Sequence, residues 1–281
     1  MDKINIHTGN CLDILPTMEA GSVNCCVTSP PYFGLRDYGN DEQIGLEETP
    51  EAFVESLVKV FREVKRVLAD DGTLWLNLGD SYAMSGLPGG NPDKHGGELR
   101  SRAKKRSVPS GLKPKDLIGI PWRVAFALQQ DGWYLRQDII WSKPNPMPES
   151  VTDRCTKAHE YIFLLSKKPK YFYDAESVKE DAVKTYDPSK NGSVGSNKLK
   201  DGNQQSGTGT GKGDGTRNKR SVWEVTTKPY SGAHFATFPP DLIKPCILAG
   251  CPAGGTVLDP FGGSGTTGMV ALELGRSAEL V

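Results

Sequence analysis

The sequence has no apolar run long enough to cross a membrane, and its first five residues, Met1 to Asn5, do not resemble a signal peptide. A transmembrane helix needs about 20 mostly apolar residues. A signal peptide begins with a charged stretch that leads into an apolar one. These absences argue against a membrane protein or a secreted protein. We therefore expect the chain to act in the cytoplasm, without a membrane partner.

Cysteine and histidine patterns of known function are also missing. The six cysteines have neither zinc nor disulfide spacing, since Cys25 and Cys26 are adjacent and Cys246 and Cys251 have no partner pair. The four histidines form no constellation for metal binding or nucleophilic chemistry. We expect buried, reduced thiols and no bound metal.

The formal net charge is zero, because 34 Lys and Arg residues balance 34 Asp and Glu residues. A neutral chain argues weakly against a polyanionic partner, but the distribution of charge is uneven. Residues 100–106 hold five positive charges, and residues 212–220 hold four together with one Asp. These stretches are either solvated loops or contacts to phosphate groups.

The chain does contain an alternation of strand and helix patterns. Apolar runs predict strands at 4–10, 23–28, 73–78, 134–141, 161–165, 256–259 and 277–281. Helical periodicity and capping residues predict helices at 11–15, 49–68, 121–132, 240–249 and 266–274. Asp70-Asp71-Gly72 is expected to end the second helix. The alternation predicts an α/β fold, with a mainly parallel sheet and helices on both faces.

Two segments interrupt this alternation. Residues 85–115 are rich in Gly, Pro and basic residues, and residues 177–220 are rich in Gly, Asn, Ser and Lys. We predict a single domain over residues 1–281 that carries these two segments as inserts. Residues 186–220 are expected to be disordered, or to become ordered only on a partner.

A glycine-rich loop follows the predicted strand at 256–259. Gly263, Gly265 and Gly268 form G-x-G-x-x-G between a strand and a helix, where backbone N–H groups can approach a ligand closely. A dinucleotide-binding loop is the first alternative, but it needs an acidic residue about 20 positions later, which this sequence does not contain. A phosphate-binding P-loop is excluded more firmly, because no Lys follows the glycines.

A second loop, Thr28-Ser29-Pro30-Pro31-Tyr32, follows the predicted strand at 23–28. By itself it is typical of a polyproline-like turn after a strand. Because the same chain also contains the glycine loop, a more specific interpretation is favoured: the two segments together resemble a known pair of motifs.

Asp259-Pro260-Phe261 and the glycines after it resemble the S-adenosylmethionine motif of methyltransferases. Ser29 to Tyr32 resembles the catalytic loop of enzymes that methylate an exocyclic base amine. Because the catalytic loop comes first, the chain resembles the beta group of DNA amino-methyltransferases. The resemblance implies a Rossmann-like methyltransferase fold with a circularly permuted motif order. It also implies S-adenosyl-L-methionine as cofactor and double-stranded DNA as substrate.

The resemblance also implies roles for individual residues. The implied cofactor contacts are Asn10, Thr28, Thr237, Phe238, Asp259, Phe261, Gly263, Gly265 and Thr266. Beside a base-modifying site, the basic stretches become candidate DNA contacts, namely Arg100, Arg102, Lys104, Lys105, Arg106, Lys212, Arg217, Lys219 and Arg220. Residues 177–220, which match no motif of the family, are a candidate target-recognition segment. One departure concerns the acid that binds the ribose in the family. Its expected place is one residue beyond Val281, and Glu279 lies three places before that position.

The implied catalytic residues are Ser29, Pro30, Pro31 and Tyr32. An exocyclic amine is a poor nucleophile because its lone pair is delocalised into the ring. The Ser29 hydroxyl and the Pro30 carbonyl would accept hydrogen bonds from that amine, on a loop stiffened by proline. Tyr32 would stack on a base that has left the duplex.

Competing functions stay open. Methylation at a ring carbon would need a cysteine nucleophile, but Pro245-Cys246 is predicted to lie inside an apolar helix. Family members with Ser at the first loop position more often methylate N4 of cytosine, so this target is favoured over N6 of adenine. Methylation of RNA or of a protein amide also stays open, as does a non-catalytic DNA-binding relative. A homodimer and a restriction endonuclease acting on the same site are the expected partners besides DNA.

Overall fold

The computed structural model describes residues 2–35, 43–83, 108–109, 111–182, 215–228 and 238–281. Its helices are α1 (Cys11–Ile14), α2 (Pro50–Val67), α3 (Ile120–Gln130), α4 (Pro240–Gly250) and α5 (Thr266–Glu273). Its strands are β1 (Ile4–Ile6), β2 (Val23–Thr28), β3 (Leu68–Leu78), β4 (Tyr134–Ser142), β5 (His159–Ser166), β6 (Glu180–Asp181), β7 (Thr216–Arg217), β8 (Val222–Glu224), β9 (Thr256–Asp259) and β10 (Ser277–Leu280). Short 3-10 turns lie at Leu15–Thr17 and Glu176–Val178.

Eight strands form one sheet in the order β1-β10-β9-β2-β3-β5-β4-β8. Neighbouring strands are parallel from β1 to β3 and between β4 and β8, whereas β5 is antiparallel to both of its neighbours. The predicted α/β fold with a mainly parallel sheet is therefore confirmed. The order is permuted, because β9 from the end of the chain lies between β10 and β2.

Buried side chains form one cluster on each face of the sheet. Helices α1, α2 and α3 pack on the first face, and α4 and α5 pack on the second. Cys25 faces the second cluster and Cys26 the first, as expected for successive residues of a strand. The thiol of Cys246 is buried inside α4, as predicted, and burial raises its pKa well above the ordinary value. None of the described helices is long and apolar enough to cross a membrane.

Helix α2 begins where the sequence predicts, but the strand after it begins earlier than expected. The Thr49 hydroxyl accepts a hydrogen bond from the Ala52 N–H at 3.1 Å, and Pro50 occupies the first helical position. The predicted stop at Asp70-Asp71-Gly72 is wrong, since α2 ends at Val67 and β3 begins at Leu68. Leu68 already pairs with Val23, and the extra residues form an irregularity within the strand.

The end of the second insert is ordered without a partner, which corrects the expectation for residues 186–220. Thr216–Arg217 pairs with Glu180–Asp181 as a short antiparallel ribbon. The Nε atoms of Arg217 and Arg220 lie 2.9 Å and 2.6 Å from Oε1 of Glu180. Residues 183–214, between the two strands of this ribbon, lie outside the described residues.

Candidate active site

The two loops singled out in the sequence meet at the carboxyl ends of neighbouring strands. Cys25 and Cys26 of β2 pair in parallel with Val257 and Leu258 of β9. From β2 the chain continues to α2 on one face, and from β9 it continues to α5 on the other. Strands whose connections leave to opposite faces open a crevice at their carboxyl ends, where ligands bind in such sheets.

The carboxylate of Asp259 joins the two loops. The Thr28 hydroxyl donates to Oδ1 at 2.6 Å, and the Thr267 hydroxyl donates to Oδ2 at 2.6 Å. The Phe261 N–H also donates to Oδ1 at 3.1 Å. Asp259 is 2% exposed and Thr28 is 0% exposed, so the Thr28 hydroxyl acts on Asp259 instead of facing an open surface. Burial raises the pKa of Asp259, and these hydrogen bonds oppose the rise.

The glycine loop has the backbone geometry that its sequence predicts. Gly263 and Gly265 have φ of 50° and 79°, a region that favours glycine. At Gly268, an added Cβ would lie 2.9 Å from Cδ1 of Leu280, so α5 can approach β10 only with glycine there. Thr266 opens α5, and Gly265 at the N-cap has no side chain to occupy the first N–H groups of that helix. This glycine cradle beside a helix N-terminus fits a small charged ligand with close backbone contacts.

The catalytic loop continues from β2 and places Tyr32 in a polar network. Its hydroxyl donates to Oε2 of Glu160 at 2.6 Å. An added Cβ on Gly79 would lie 2.5 Å from Cε2 of Tyr32, so the ring packs directly on the backbone at the end of β3. Burial, and then the nearby Glu160 carboxylate, raise the pKa of Tyr32 well above its ordinary value, while Ser29 and the Gly79 backbone act in the opposite direction. Tyr32 is therefore a neutral donor.

Glu160 is the centre of this network. Its Oε1 pairs with Nζ of Lys143, and its Oε2 also accepts from Nδ2 of Asn77 at 3.3 Å. Nζ of Lys143 lies 4.1 Å from the ring centroid of Trp141. The sequence does not reveal that Lys143 and Glu160 meet Tyr32. Asn77 is not among the site residues predicted from the sequence, because it is a single polar position in an apolar strand.

A second lysine lies beside the same network. Nζ of Lys157 donates to the backbone oxygen of Asp80 at 2.7 Å. Burial lowers the pKa of Lys157, and the charges of Asp80 and Glu160 partly restore it. The Asp80 carboxylate accepts from the N–H groups of Gly119 and Ile120 at 3.0 Å and 3.1 Å, so it caps the start of α3.

The remaining predicted cofactor residues are spread along the carboxyl edge. Asn10 caps α1, its Oδ1 accepting from the Leu12 N–H at 3.0 Å. Phe238 is half-buried just before α4, and Thr237 lies outside the described residues. Glu279, the nearest acid to the expected ribose position, accepts from Asn5 at 2.6 Å and contacts His7 at 2.7 Å. Its carboxylate is therefore engaged between β1 and β10.

Few of the predicted DNA contacts fall within the described residues. Those outside them are Arg100, Arg102, Lys104, Lys105, Arg106 and Lys212. Arg217 and Arg220 pair with Glu180, and Nζ of Lys219 lies 5.0 Å from the ring centroid of Trp223. Within the part of the chain that the structure describes, no cluster of three or more His, Cys, Asp or Glu side chains could hold a metal ion.

Comparison with known proteins identifies the family. Residues 23–278 match the DNA methylase family model for N6 and N4 methyltransferases. The Type II methyltransferase M.Cfr9I of Citrobacter freundii is 53% identical over 276 residues, which are 98% of this chain and 82% of that protein. The Type II methyltransferase M.SmaI of Serratia marcescens is 50% identical over 272 residues, 96% of this chain and 83% of that protein.

Solved structures agree on the fold. The cytosine-N4-specific PvuII DNA methyltransferase matches with a TM-score of 0.66 and 19% identity, over 100% of this chain and 82% of that one. A Thermus thermophilus protein solved with S-adenosyl-L-methionine matches with a TM-score of 0.58 and 22% identity, over 99% of this chain and 88% of that one. With the two loops joined at the crevice and relatives at half identity or more, the chain belongs to the N6/N4 DNA methylase family and is an S-adenosylmethionine-dependent DNA methyltransferase.

Proposed function

We propose that the enzyme transfers a methyl group to N4 of cytosine in double-stranded DNA. The observation that carries this proposal is the pair of cations, Lys143 and Lys157, beside Tyr32 and Glu160. Cytosine has a carbonyl oxygen at its Watson–Crick edge that a lysine ammonium can bind, whereas adenine has none. The Ser29 hydroxyl favours the same base by resemblance to cytosine-N4 enzymes.

The cofactor side of the crevice is assigned to the glycine loop. S-adenosyl-L-methionine supplies the electrophilic methyl group when it is bound. Gly263 and Gly265 allow close approach of the backbone, and Thr266 and Phe261 line the same loop. Asp259 holds this loop to the catalytic loop through Thr28 and Thr267, so both reactants are positioned by one carboxylate. Asn10, Thr237 and Phe238 complete the proposed contacts.

The base side is assigned to the catalytic loop. The Ser29 hydroxyl and the Pro30 carbonyl accept hydrogen bonds from the exocyclic amine and draw its lone pair out of conjugation. Pro31 keeps the loop stiff. The Tyr32 ring, which packs on Gly79 and is bound to Glu160, stacks on the base. The amine loses one proton as the methyl group arrives. The Ser29 hydroxyl accepts a hydrogen bond from this N–H, and the proton leaves to water.

DNA contacts are assigned to the basic stretches of the two inserts. Replacing Arg100, Arg102, Lys104, Lys105 and Arg106 by Gln removes up to five phosphate contacts. Each lost contact on duplex DNA reduces the slope of log K against log salt by about 0.9. A binding titration over several salt concentrations measures this slope. A slope equal to wild type shows that the stretch is only solvated.

The target base is tested directly on reaction products. Duplex DNA methylated by the enzyme is digested to nucleosides, which are separated by mass. We expect N4-methylcytosine, and no product with Ser29→Ala, which retains the cofactor loop as an internal control. Recovery of N6-methyladenine instead overturns the cytosine assignment but leaves the methyltransferase activity intact.

We further propose that the chain forms one catalytic domain, acts in the cytoplasm and works beside a restriction endonuclease of the same specificity. The Type II names of the relatives support the last point. A second copy of the chain is the other proposed partner. Light scattering at micromolar concentration measures the oligomeric state. Protection of methylated DNA from endonucleases of known specificity identifies the recognition sequence and a matching partner.

A further inference from the structure

The loop that joins β4 to β5, residues 143–158, projects from the same edge of the sheet as the catalytic loop. Its two ends belong to the base-side network. Lys143 pairs with Glu160, and the Lys143 N–H donates to the Ala158 oxygen at 2.8 Å. Lys157 contacts the Asp80 oxygen. The base of the loop is therefore fixed to the residues that surround Tyr32.

The rest of the loop is held rigidly. Pro144, Pro146 and Pro148 alternate along it, and each fixes its own backbone φ. Between the first two, Asn145 is tied to Thr227 in both directions. Its Nδ2 donates to the Thr227 oxygen at 3.0 Å, and its Oδ1 accepts from the Thr227 N–H at 2.9 Å.

Farther along, Glu149 pairs with Arg154 and also accepts from the Lys157 N–H at 3.4 Å. Asp153 pairs with Lys115 at 2.7 Å. The acidic groups of the loop are therefore matched by cations, and the loop offers phosphate neither strong repulsion nor a free positive patch. The loop can therefore contact a partner through its fixed backbone and its apolar side chains.

This rigid loop exposes Met147, which at 83% has the largest exposed fraction among the large hydrophobic residues of the described chain. Met147 stands between two prolines and four residues after Lys143. Four residues span at most about 14 Å, so the backbone of Met147 stays within that distance of Lys143. A single exposed apolar side chain is ordinary on a protein surface. What distinguishes Met147 is its place on a fixed loop at the edge of the sheet that carries the catalytic loop.

We propose that Met147 is a wedge that inserts into the base stack of the DNA when the target base turns out of the duplex. The proposal rests on the proposed base-side site, because the base must leave the stack to reach Tyr32. A departed base leaves an apolar gap between its neighbours, and unbranched apolar side chains are known to occupy such gaps in bent or opened DNA. The loop positions Met147 at the edge from which the duplex must approach.

The test compares Met147→Ala with Met147→Leu and with Leu272→Ala, which truncates a 38%-exposed side chain on α5. Each is assayed on two duplexes, one with the target base paired normally and one with the target base opposite an abasic site. The second duplex has already lost the pairing that a wedge helps to replace. Calorimetric affinity for S-adenosyl-L-methionine checks folding.

We expect Met147→Ala to lower kcat/KM on the paired duplex about tenfold or more, the loss that burial of a Met side chain predicts. The abasic duplex should restore most of this loss, and the salt slope of DNA binding should not change. Met147→Leu and Leu272→Ala should stay near wild type on both duplexes. Asn145→Ala, which loosens the loop, should reproduce the pattern of Met147→Ala.

Two outcomes overturn the wedge. An equal loss on both duplexes places Met147 in catalysis or folding, and no loss on the paired duplex shows that it is unused. Neither depends on which base is methylated, because the comparison uses whichever base the enzyme modifies. A wild-type enzyme that methylates neither duplex refutes the proposed function instead, so the two failures are distinguishable.

Discussion

At the residue scale, a single buried carboxylate links the two loops of the proposed active site. Asp259 receives hydroxyl donors from Thr28 and Thr267, which belong to different loops. Removal of one donor by Thr28→Val leaves the carboxylate with fewer partners, at a cost of about 1 to 3 kcal/mol in the free energy of unfolding. Urea unfolding measures this loss. Thr28→Ser retains the hydroxyl and is the matched control.

The raised pKa of Asp259 predicts how the free energy of unfolding changes with pH. Burial holds its pKa in the folded state above the ordinary value of 3.8. Between that value and the higher folded pKa, the folded state retains a proton that the unfolded state has lost. The free energy of unfolding therefore decreases as pH rises through this window. Urea unfolding of wild type and Asp259→Asn at several pH values tests this, and a stability of wild type relative to Asp259→Asn that decreases as pH rises identifies this carboxyl. A pH-independent difference contradicts the assignment.

Gly79 permits the position of the Tyr32 ring, and this contact can be tested without touching the cofactor loop. In Gly79→Ala, the new Cβ would meet Cε2 of Tyr32 at 2.5 Å, so the ring must move away from Glu160. We expect turnover to fall by at least about tenfold, since misplacement of a reacting group by about 1 Å can cost a factor of about 100. Calorimetric affinity for S-adenosyl-L-methionine should stay unchanged. Tyr32→Phe retains the ring, so its turnover should fall less than that of Gly79→Ala if the position of the ring determines the rate.

At the scale of elements, the β6–β7 ribbon gives the second insert a fixed base. Glu180 binds both Arg217 and Arg220, and the Ala182 N–H donates to the Gly215 oxygen at 2.7 Å. These arginines are occupied in the absence of DNA, so a phosphate must displace Glu180 to reach them. The Arg220 side chain is 67% exposed and the Arg217 side chain 32%. Exposed ion pairs contribute about 0 to 1 kcal/mol, so Arg220 exchanges Glu180 for phosphate more easily than Arg217.

The ribbon also defines where the insert can be removed. Deletion of residues 193–214 leaves Gly215 and both strands of the ribbon in place. We expect this variant to fold and bind S-adenosyl-L-methionine like wild type, but to lose sequence discrimination, because the insert is proposed to contribute to target recognition. Sequencing of modified bases in DNA from an expressing host measures the sites. Full rate at an unchanged target sequence would show that the insert is a linker.

At the scale of the whole molecule, the site joins segments that are far apart in the chain. Thr28 and Asp259 are separated by 231 positions, and β1 pairs with β10 beside them. A ligand in the crevice therefore contacts both ends of the chain, and its binding stabilises the folded state as a unit. At a concentration of about 100 times Kd, the gain is about 2.7 kcal/mol.

This linkage predicts an increase in Tm with S-adenosyl-L-methionine concentration. Gly263→Val should abolish the increase, because Gly263 has a φ of 50° that β-branched residues rarely adopt, and a side chain there would fill the space next to the backbone. Gly21→Ala, a positive-φ position with no atom near its Cβ, is a control for strain alone. An equal Tm increase in Gly263→Val and wild type would contradict the cofactor assignment.

The sequence by itself determined the helices, the longer strands and the identity of the two loops, but not the short strands β6, β7 and β8. Thr49 and Pro50 fixed the start of α2, and the glycines fixed the turn after β9, because caps and positive-φ positions depend on residues close in the chain. It misplaced the end of α2, where pairing of Leu68 with Val23 overrides the turn signal of Asp70 and Gly72. Local signals cannot report a partner strand.

Only the tertiary structure decided which side chains meet. Tyr32 contacts Glu160 across 128 positions, and Lys143 meets Glu160 because β4 and β5 pair in antiparallel register. Register depends on packing over the whole sheet, and no spacing in the chain encodes it. The two loops in the sequence thus predicted the reaction. The order and register of the strands placed the lysines, the Tyr32 ring and the loop of residues 143–158 around the proposed base site.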